Sequence, residues 1–248
     1  MEEAVPSPVA EGGVDEGPDE GPSRTAKSEQ TRNLIVETAL RLFRENGYDR
    51  TTMRAIAREA GVSVGNAYYY FGSKEHLVQG FYDRIQELHH EACIEILATE
   101  KGIGARLRGV LLAWLDIAEP YHQFAVQFFK NAADPTSPLS PFSEQSEPAR
   151  AASIALYREV LAGATSKLDP ELREDLPELM WLHQMVVVLF WVHDRSPNSA
   201  NTRMFIRRST PLFEKLLRLS RLRVLRSLTR EGVQLFRDFG WIKGKPSG

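Results

Sequence analysis

Residues 51–74 read TTMRAIAREAGVSVGNAYYYFGSK, which leaves room for little besides two short helices around a tight turn. Ile56, Ala57 and Ala60 recur at helical spacing and mark one buried face, and Thr51 or Thr52 stands where a capping hydroxyl is wanted. Gly61 supplies the turn, and Ser63 is placed to cap a second helix. On that helix Val64, Gly65, Asn66 and Tyr69 fall on an outer face, while Ala57 and Ala67 are small where the two helices must cross closely. A pair built this way can present its second helix to the major groove of duplex DNA. Ordinary bundles also contain helix pairs joined by a glycine. What sets this pair apart is Tyr68, Tyr69, Tyr70 and Phe71 on a face expected to be exposed, followed by Lys74, a set that suits phosphate contacts.

The flanking sequence extends the pattern. An upstream helix is expected from about Ser28, with Leu34, Ile35, Ala39, Leu42 and Phe43 as its buried stripe and Asn46-Gly47 as its end. Downstream, Ser73 can cap a longer helix in which Leu77, Phe81, Ile85, Leu88, Ala92 and Ile96 recur every three or four residues. Taken in order and spacing over residues 30–85, the upstream helix, then TTMRAIAREAGVS, YYYF and SKEHL resemble the TetR family of bacterial repressors. The chain departs from that family's commonest pattern at Ala67, Tyr70 and Gly72.

The resemblance implies that Thr52, Tyr68 and Lys74 clamp the DNA backbone. Base chemistry adds readings for the others: Asn66 could pair with adenine, Val64 could touch a thymine methyl, and Arg54 could reach guanine or a phosphate. Ser63 can combine capping with a phosphate contact, Tyr69 stands beside it on the outer face, and Gly65 allows backbone to approach backbone. A short helix reads only a few base pairs, so a near-palindromic operator and a homodimer are expected. In the family the last two long helices form the dimer interface, which here corresponds to about 176–219.

Charge averages conceal this organisation. The chain of 248 residues has a formal net charge of −2, yet its first 30 residues hold eight acids against two bases, and the rest is net positive by 4. Most of that surplus lies in 203–245, which reads as a basic helical region; 218–230 places leucines on one face and arginines on the others. That region could touch an acidic membrane, add DNA contacts, pack on a second subunit or pair with the acidic tail, but a bundle helix with a solvated basic face explains it most simply. Cys93 is the single cysteine, so no intrachain disulfide is possible and a reducing cytoplasm is expected. The start has neither a basic n-region nor an apolar h-region, and the longest wholly apolar run, 185–192, is too short to span a bilayer. No membrane partner is expected.

An all-α protein is expected, with a disordered acidic tail over 1–27, a three-helix DNA-binding head over 28–74 and a helical body over 75–248 for effector binding and dimerisation. Body helices are expected at 105–118, 121–132, 148–165, 170–193, 199–219 with a kink at Pro211, and 221–239. The four-proline stretch 134–148 is expected as a surface loop. Trp114, Tyr121, Phe128, Trp181, His183 and Met185 are candidates to line an effector cavity for an unidentified small molecule, against the simpler reading as core. GVSVG, 61–65, matches the G-x-S-x-G nucleophile elbow, but the segment before it is helical rather than a strand, so no catalytic residue is assigned. The six histidines show no metal-ligand spacing, and no cofactor is expected. An all-α small-molecule enzyme and a basic-helix membrane protein remain the rival classes.

Overall fold

The computed structural model describes residues 24–165, 168, 170–219 and 223–238, and all regular structure among them is helical. The acidic stretch up to residue 23 lies outside them, as do the side chains of 220–230 and with them most of the expected basic face. Helix α1 runs Arg24–Asn46, α2 Met53–Glu59, α3 Val64–Tyr70 and α4 Lys74–Thr99. The body adds α5 (Ile103–Ala118), α6 (His122–Ala133), α7 (Glu147–Ala162), α8 (Pro170–His193), α9 (Ala200–Leu219) and α10 (Arg223–Asp238).

Helix α1 starts four residues before the sequence pattern indicates. Its buried face is Ile35, Val36, Ala39, Leu40, Leu42 and Phe43, which holds the expected stripe except at Leu34, half exposed. Gly47 ends the helix at φ 85°, a conformation that favours glycine. On α4 the expected stripe holds at Leu77 and Phe81 and then drifts: His89 and Cys93 are buried in place of Leu88 and Ala92. The expected positions 77, 81, 85, 88, 92 and 96 cover 19 residues in five steps, about 3.8 apart, so the row turns away from the core on a helix of about 3.6 residues per turn.

Helix α5 runs through the centre of the body, with Leu107, Val110, Leu111 and Leu115 packed among Leu156, Tyr157, Val160, Leu176, Met180, Val187 and Ile206. Helix α8 contains a stretch, Leu172–His193, that is long and apolar enough to cross a bilayer, with mean hydropathy 1.2 over 18 residues. In the fold 44% of that window is buried against other helices, which is how a core helix behaves.

The proline-rich connection lies at the surface, as expected, but it is pinned there. Gln79 Nε2 donates to the Pro138 carbonyl at 2.9 Å and to Ser146 Oγ at 3.1 Å, Tyr82 donates to the Leu139 carbonyl at 3.3 Å, and Leu139 is 3% exposed. Phe142 packs edge-on against Trp181, centroids 5.2 Å apart. Buried backbone needs partners, and α4 supplies them.

The turn between α8 and α9 is tied by two carboxylates. Asp194 accepts bonds from the Ser196 amide and hydroxyl at 2.9 and 2.6 Å and from the Thr202 amide and hydroxyl at 2.8 and 2.7 Å. Glu119 accepts from Ser199 Oγ and Trp191 Nε1, holding a turn in which Asn198 and Ser199 both have positive φ. Burial pushes the Asp194 carboxyl up, but the bonds from Ser196 and Thr202 outweigh it and bring it from 3.8 to about 2. Its contribution, roughly 2 kcal/mol, is therefore complete above pH 4 and lost as pH falls toward 2. Asp194→Ala is expected to lower stability by about that much at pH 6 and to show a shallower loss between pH 4 and 2. Urea unfolding across that range checks both; parallel pH profiles for variant and wild type would count against this role.

Candidate nucleic-acid interface

Helices α2 and α3 take their positions from caps and from one close contact. Thr52 Oγ1 accepts from the Ala55 amide at 3.2 Å, and Ser63 Oγ accepts from the Asn66 amide at 3.0 Å, so each short helix has its first turn satisfied by a hydroxyl. Thr51 is buried instead, donating to the Leu42 and Gly47 carbonyls. Gly61 has φ 68°, which lets the chain turn within the four residues between α2 and α3. Ala67 is 0% exposed and seats α3 on the core formed by Ile56, Ala57 and Phe43.

With Ala67 inward, the other side of α3 faces solvent. Val64, Gly65, Asn66, Tyr68 and Tyr69 are exposed, Tyr69 at 81%, the most open large aromatic among the described residues. Thr52 and Arg54 are exposed beside them on α2. The structure thus brings Thr52, Arg54, Ser63, Val64, Gly65, Asn66, Tyr68 and Tyr69 to one surface. Phe71 does not share it: it is 3% exposed, beneath the Arg32 guanidinium at 5.3 Å, and a β-carbon on Gly80 would come within 2.7 Å of its ring. Tyr70 is half-buried, its hydroxyl 3.2 Å from Ser28 Oγ near the start of α1.

Lys74 turns inward more than its place beside the motif implies. Its Nζ donates to the Tyr48 carbonyl at 2.9 Å and the Asp49 carbonyl at 3.5 Å and lies 4.4 Å from the Tyr48 ring centre. Tyr48 in turn donates to Glu75 Oε1 at 2.9 Å. Burial and that bond push the Tyr48 hydroxyl well above its ordinary range; Glu75, despite partial burial, is held low by bonds from Ser73, its own amide and Tyr48. The lysine therefore fastens the α1–α2 loop to the start of α4, with one N–H left over from the two carbonyls.

The six aromatic and polar candidates for an effector cavity are not gathered around one space among the described residues. Tyr121 and Phe128 belong to the apolar cluster of the head: Phe124 stacks on Phe43 at 5.9 Å and on Phe128 at 5.2 Å, and Phe81 meets Tyr121 at 4.9 Å. Trp114 and Trp181 are core side chains, the former edge-on to Trp191 at 5.3 Å. His183 bonds Ser209 at 3.0 Å and stacks on Phe213, and Met185 is half-buried beside it on α8. Trp114, Trp181, Phe128 and Tyr121 contribute to apolar packing in the single chain.

A fold of this kind, with α3 standing clear on a capped helix pair and a larger helical body behind it, defines the helix-turn-helix DNA-binding regulators. Residues 35–80 match the model described as "Bacterial regulatory proteins, tetR family", and residues 106–235 match "Tetracyclin repressor-like, C-terminal domain". The chain belongs to the TetR family. Among curated relatives, the HTH-type transcriptional regulator TtgR of Pseudomonas putida is 41% identical over 63 residues, 25% of this chain and 30% of that protein. HbdR of an Aromatoleum species is 48% identical over 50 residues, 20% and 22% of the two chains. These matches span less than a third of the relatives' length. Two solved structures extend the likeness of fold: a TetR regulator from Nitrosomonas europaea (20% identity, TM-score 0.57, 73% of this chain and 96% of that one) and the fatty acid degradation regulator FadR from Bacillus halodurans (17%, 0.57, 73% and 97%).

Proposed function

We propose that this protein is a cytoplasmic, homodimeric transcriptional repressor whose α3 reads a near-palindromic DNA site, and that a small molecule taken up by the body releases it. The observation that carries the reading is the outer face of α3: a polar and aromatic surface with Asn66 and Tyr69 open to solvent, on a helix locked from behind by the fully buried Ala67. An exposed asparagine there can pair bidentately with adenine, and the flanking tyrosines and threonine can bond phosphates. Residues 24–74 hold nine Lys and Arg against five Asp and Glu, of which Glu45 and Glu59 share Arg41 at 3.2 and 2.7 Å. The head is thus locally basic although the chain is not. Its partner being chromosomal DNA, the protein works in the cytoplasm, and no enzymatic step is assigned to it.

Release requires the effector to prefer the DNA-incompetent conformation by about 10⁴-fold, or ~5.5 kcal/mol, to turn a mostly bound population into a mostly free one. The lever for such a shift is the aromatic contact between the head and α6, because any movement of α6 must carry Phe43 and Phe81 with it. The test is binding to the DNA upstream of the protein's own gene. Asn66→Ala and Tyr69→Ala are each expected to weaken binding by roughly 10- to 100-fold while leaving the unfolding midpoint unchanged, since both side chains are exposed. Wild-type affinity in both variants would remove α3 as the reading helix.

A further inference from the structure

The seven acids of residues 1–23, with no Lys or Arg among them, are not accounted for by DNA reading. Their placement gives them a partner. The described chain starts at Arg24, at the head of α1, and four residues later Ser28 Oγ lies 3.2 Å from the Tyr70 hydroxyl at the end of α3. The acidic segment therefore issues beside the DNA-reading helix rather than beside the body. Twenty-three residues are more than enough chain to cover α3, whose seven residues span only ~10 Å. The exposed face of α3 is unpartnered, and next to it on α2 Arg54 and Arg58 are exposed with no ion pair among the described residues.

We infer that segment 1–23 docks on the outer face of α2 and α3, its carboxylates on Arg54, Arg58 and the tyrosine hydroxyls, where it stands in for DNA phosphates. The inference rests on the reading of α3 as the DNA-contacting helix. The tail competes with every phosphate backbone alike, because it matches their charge and carries no base edges. Non-specific DNA, bound through charge alone, loses to it; an operator that adds base contacts displaces it. Both apparent affinities fall by the same factor, the fraction of heads the tail leaves open, so weak non-specific complexes are cleared at concentrations where the operator stays occupied. The basic C-terminal helix is the competing acceptor on charge grounds, but the chain leaves the structure at the recognition helix.

Two measurements test this. In the first, Glu16→Cys carries a nitroxide on the full chain, where the only other thiol, Cys93, is 0% exposed. Amide signals of 54–70 are expected to broaden, and to recover on addition of a random-sequence duplex of about 20 base pairs, long enough to cover the head's phosphate contacts. Broadening confined to Arg223–Asp238, or to the first turns of α1, would overturn the inference. In the second, Glu2→Gln, Glu3→Gln, Glu11→Gln, Asp15→Asn, Glu16→Gln, Asp19→Asn and Glu20→Gln are combined in the full chain, and affinity for the random duplex is followed against salt. Non-specific binding should tighten by roughly tenfold near 0.1 M salt, the gain fading as screening increases, and affinity for the operator should tighten by a like factor. Equal affinities of the two proteins for random DNA would overturn the inference. If neither protein bound any duplex, the DNA reading itself would fail, and the nitroxide map would still decide where the tail lies.

Discussion

Arg106→Met is expected to cost roughly 3–5 kcal/mol and to unfold the body in mild denaturant. Arg106 is 2% exposed, yet it faces no carboxylate at bonding distance. Its Nη1 donates to the Leu97 and Glu100 carbonyls at 2.6 and 2.7 Å, Nη2 to the Glu159 carbonyl at 2.8 Å and Nε to the Val160 carbonyl at 2.8 Å. Those carbonyls close the C-terminal ends of α4 and α7, where the last turn of a helix has no backbone donors of its own. Each helix end presents about half a negative charge, so two of them together balance one guanidinium. Burial lowers the Arg106 pKa and Glu159 pulls it back. Methionine fills the volume but takes the donor from the Leu97, Glu100 and Val160 carbonyls and leaves Glu159 with the Gly163 amide at 3.3 Å alone. Arg106→Lys should recover only part of the loss, since an ammonium has three donors and no planar fork. Gly163 belongs to the same device, because any β-carbon there would collide with the guanidinium. Guanidinium chloride unfolding of the three proteins decides the matter, and a methionine variant within about 1 kcal/mol of wild type would show that the clamp contributes little.

Nothing in the local sequence announces Arg106. It sits on the apolar stripe Ile103, Leu107, Val110, where an arginine reads as an interruption, and its acceptors come from segments near 97–100 and 159–160 that only the fold brings together. The same holds for Asp194 and Glu119. Elements whose cause is local were legible: Thr52, Gly61 and Ser63 act through bonds or backbone angles within three residues, and the helix pair falls where those residues place it. The outer face of α3 was legible for the same reason, since Ala67 fixes which side is buried. Phe71 was misplaced on that face because its burial depends on Gly80, nine residues on and in another helix. The aromatic residues of the body were ambiguous for a physical reason as well. A ring that lines a cavity and a ring that fills a core obey the same helical spacing, and here Phe128 and Tyr121 pack on the head instead.

Leu212→Glu is expected to turn the dimer into a folded monomer and to reduce operator affinity by roughly 10²- to 10⁴-fold. Outer apolar residues of α8 recur as Val186, Leu189 and Phe190, and those of α9 as Leu212, Leu216 and Leu219, all at least 41% exposed in the single chain. Helices α8 and α9 meet where Phe190 stacks on Phe205 at 4.9 Å. Exposed apolar rows on two neighbouring helices suit the proposed dimer interface, in which two copies of the pair would make a four-helix contact. Leu212 is 58% exposed in the single chain, so a carboxylate there keeps its water and leaves the monomer's fold intact. Across a two-fold interface the same substitution appears twice, and each charge must be stripped of water against apolar neighbours, which costs several kcal/mol per contact. The consequence for DNA follows from geometry. Two heads on one dimer bind the second half-site as an intramolecular event, and that advantage disappears when the heads part. Sedimentation of Leu212→Glu together with its operator affinity separates the outcomes. A variant that still sediments as a dimer refutes α8 and α9 as the interface, and a true monomer with unchanged affinity refutes the need for two recognition helices.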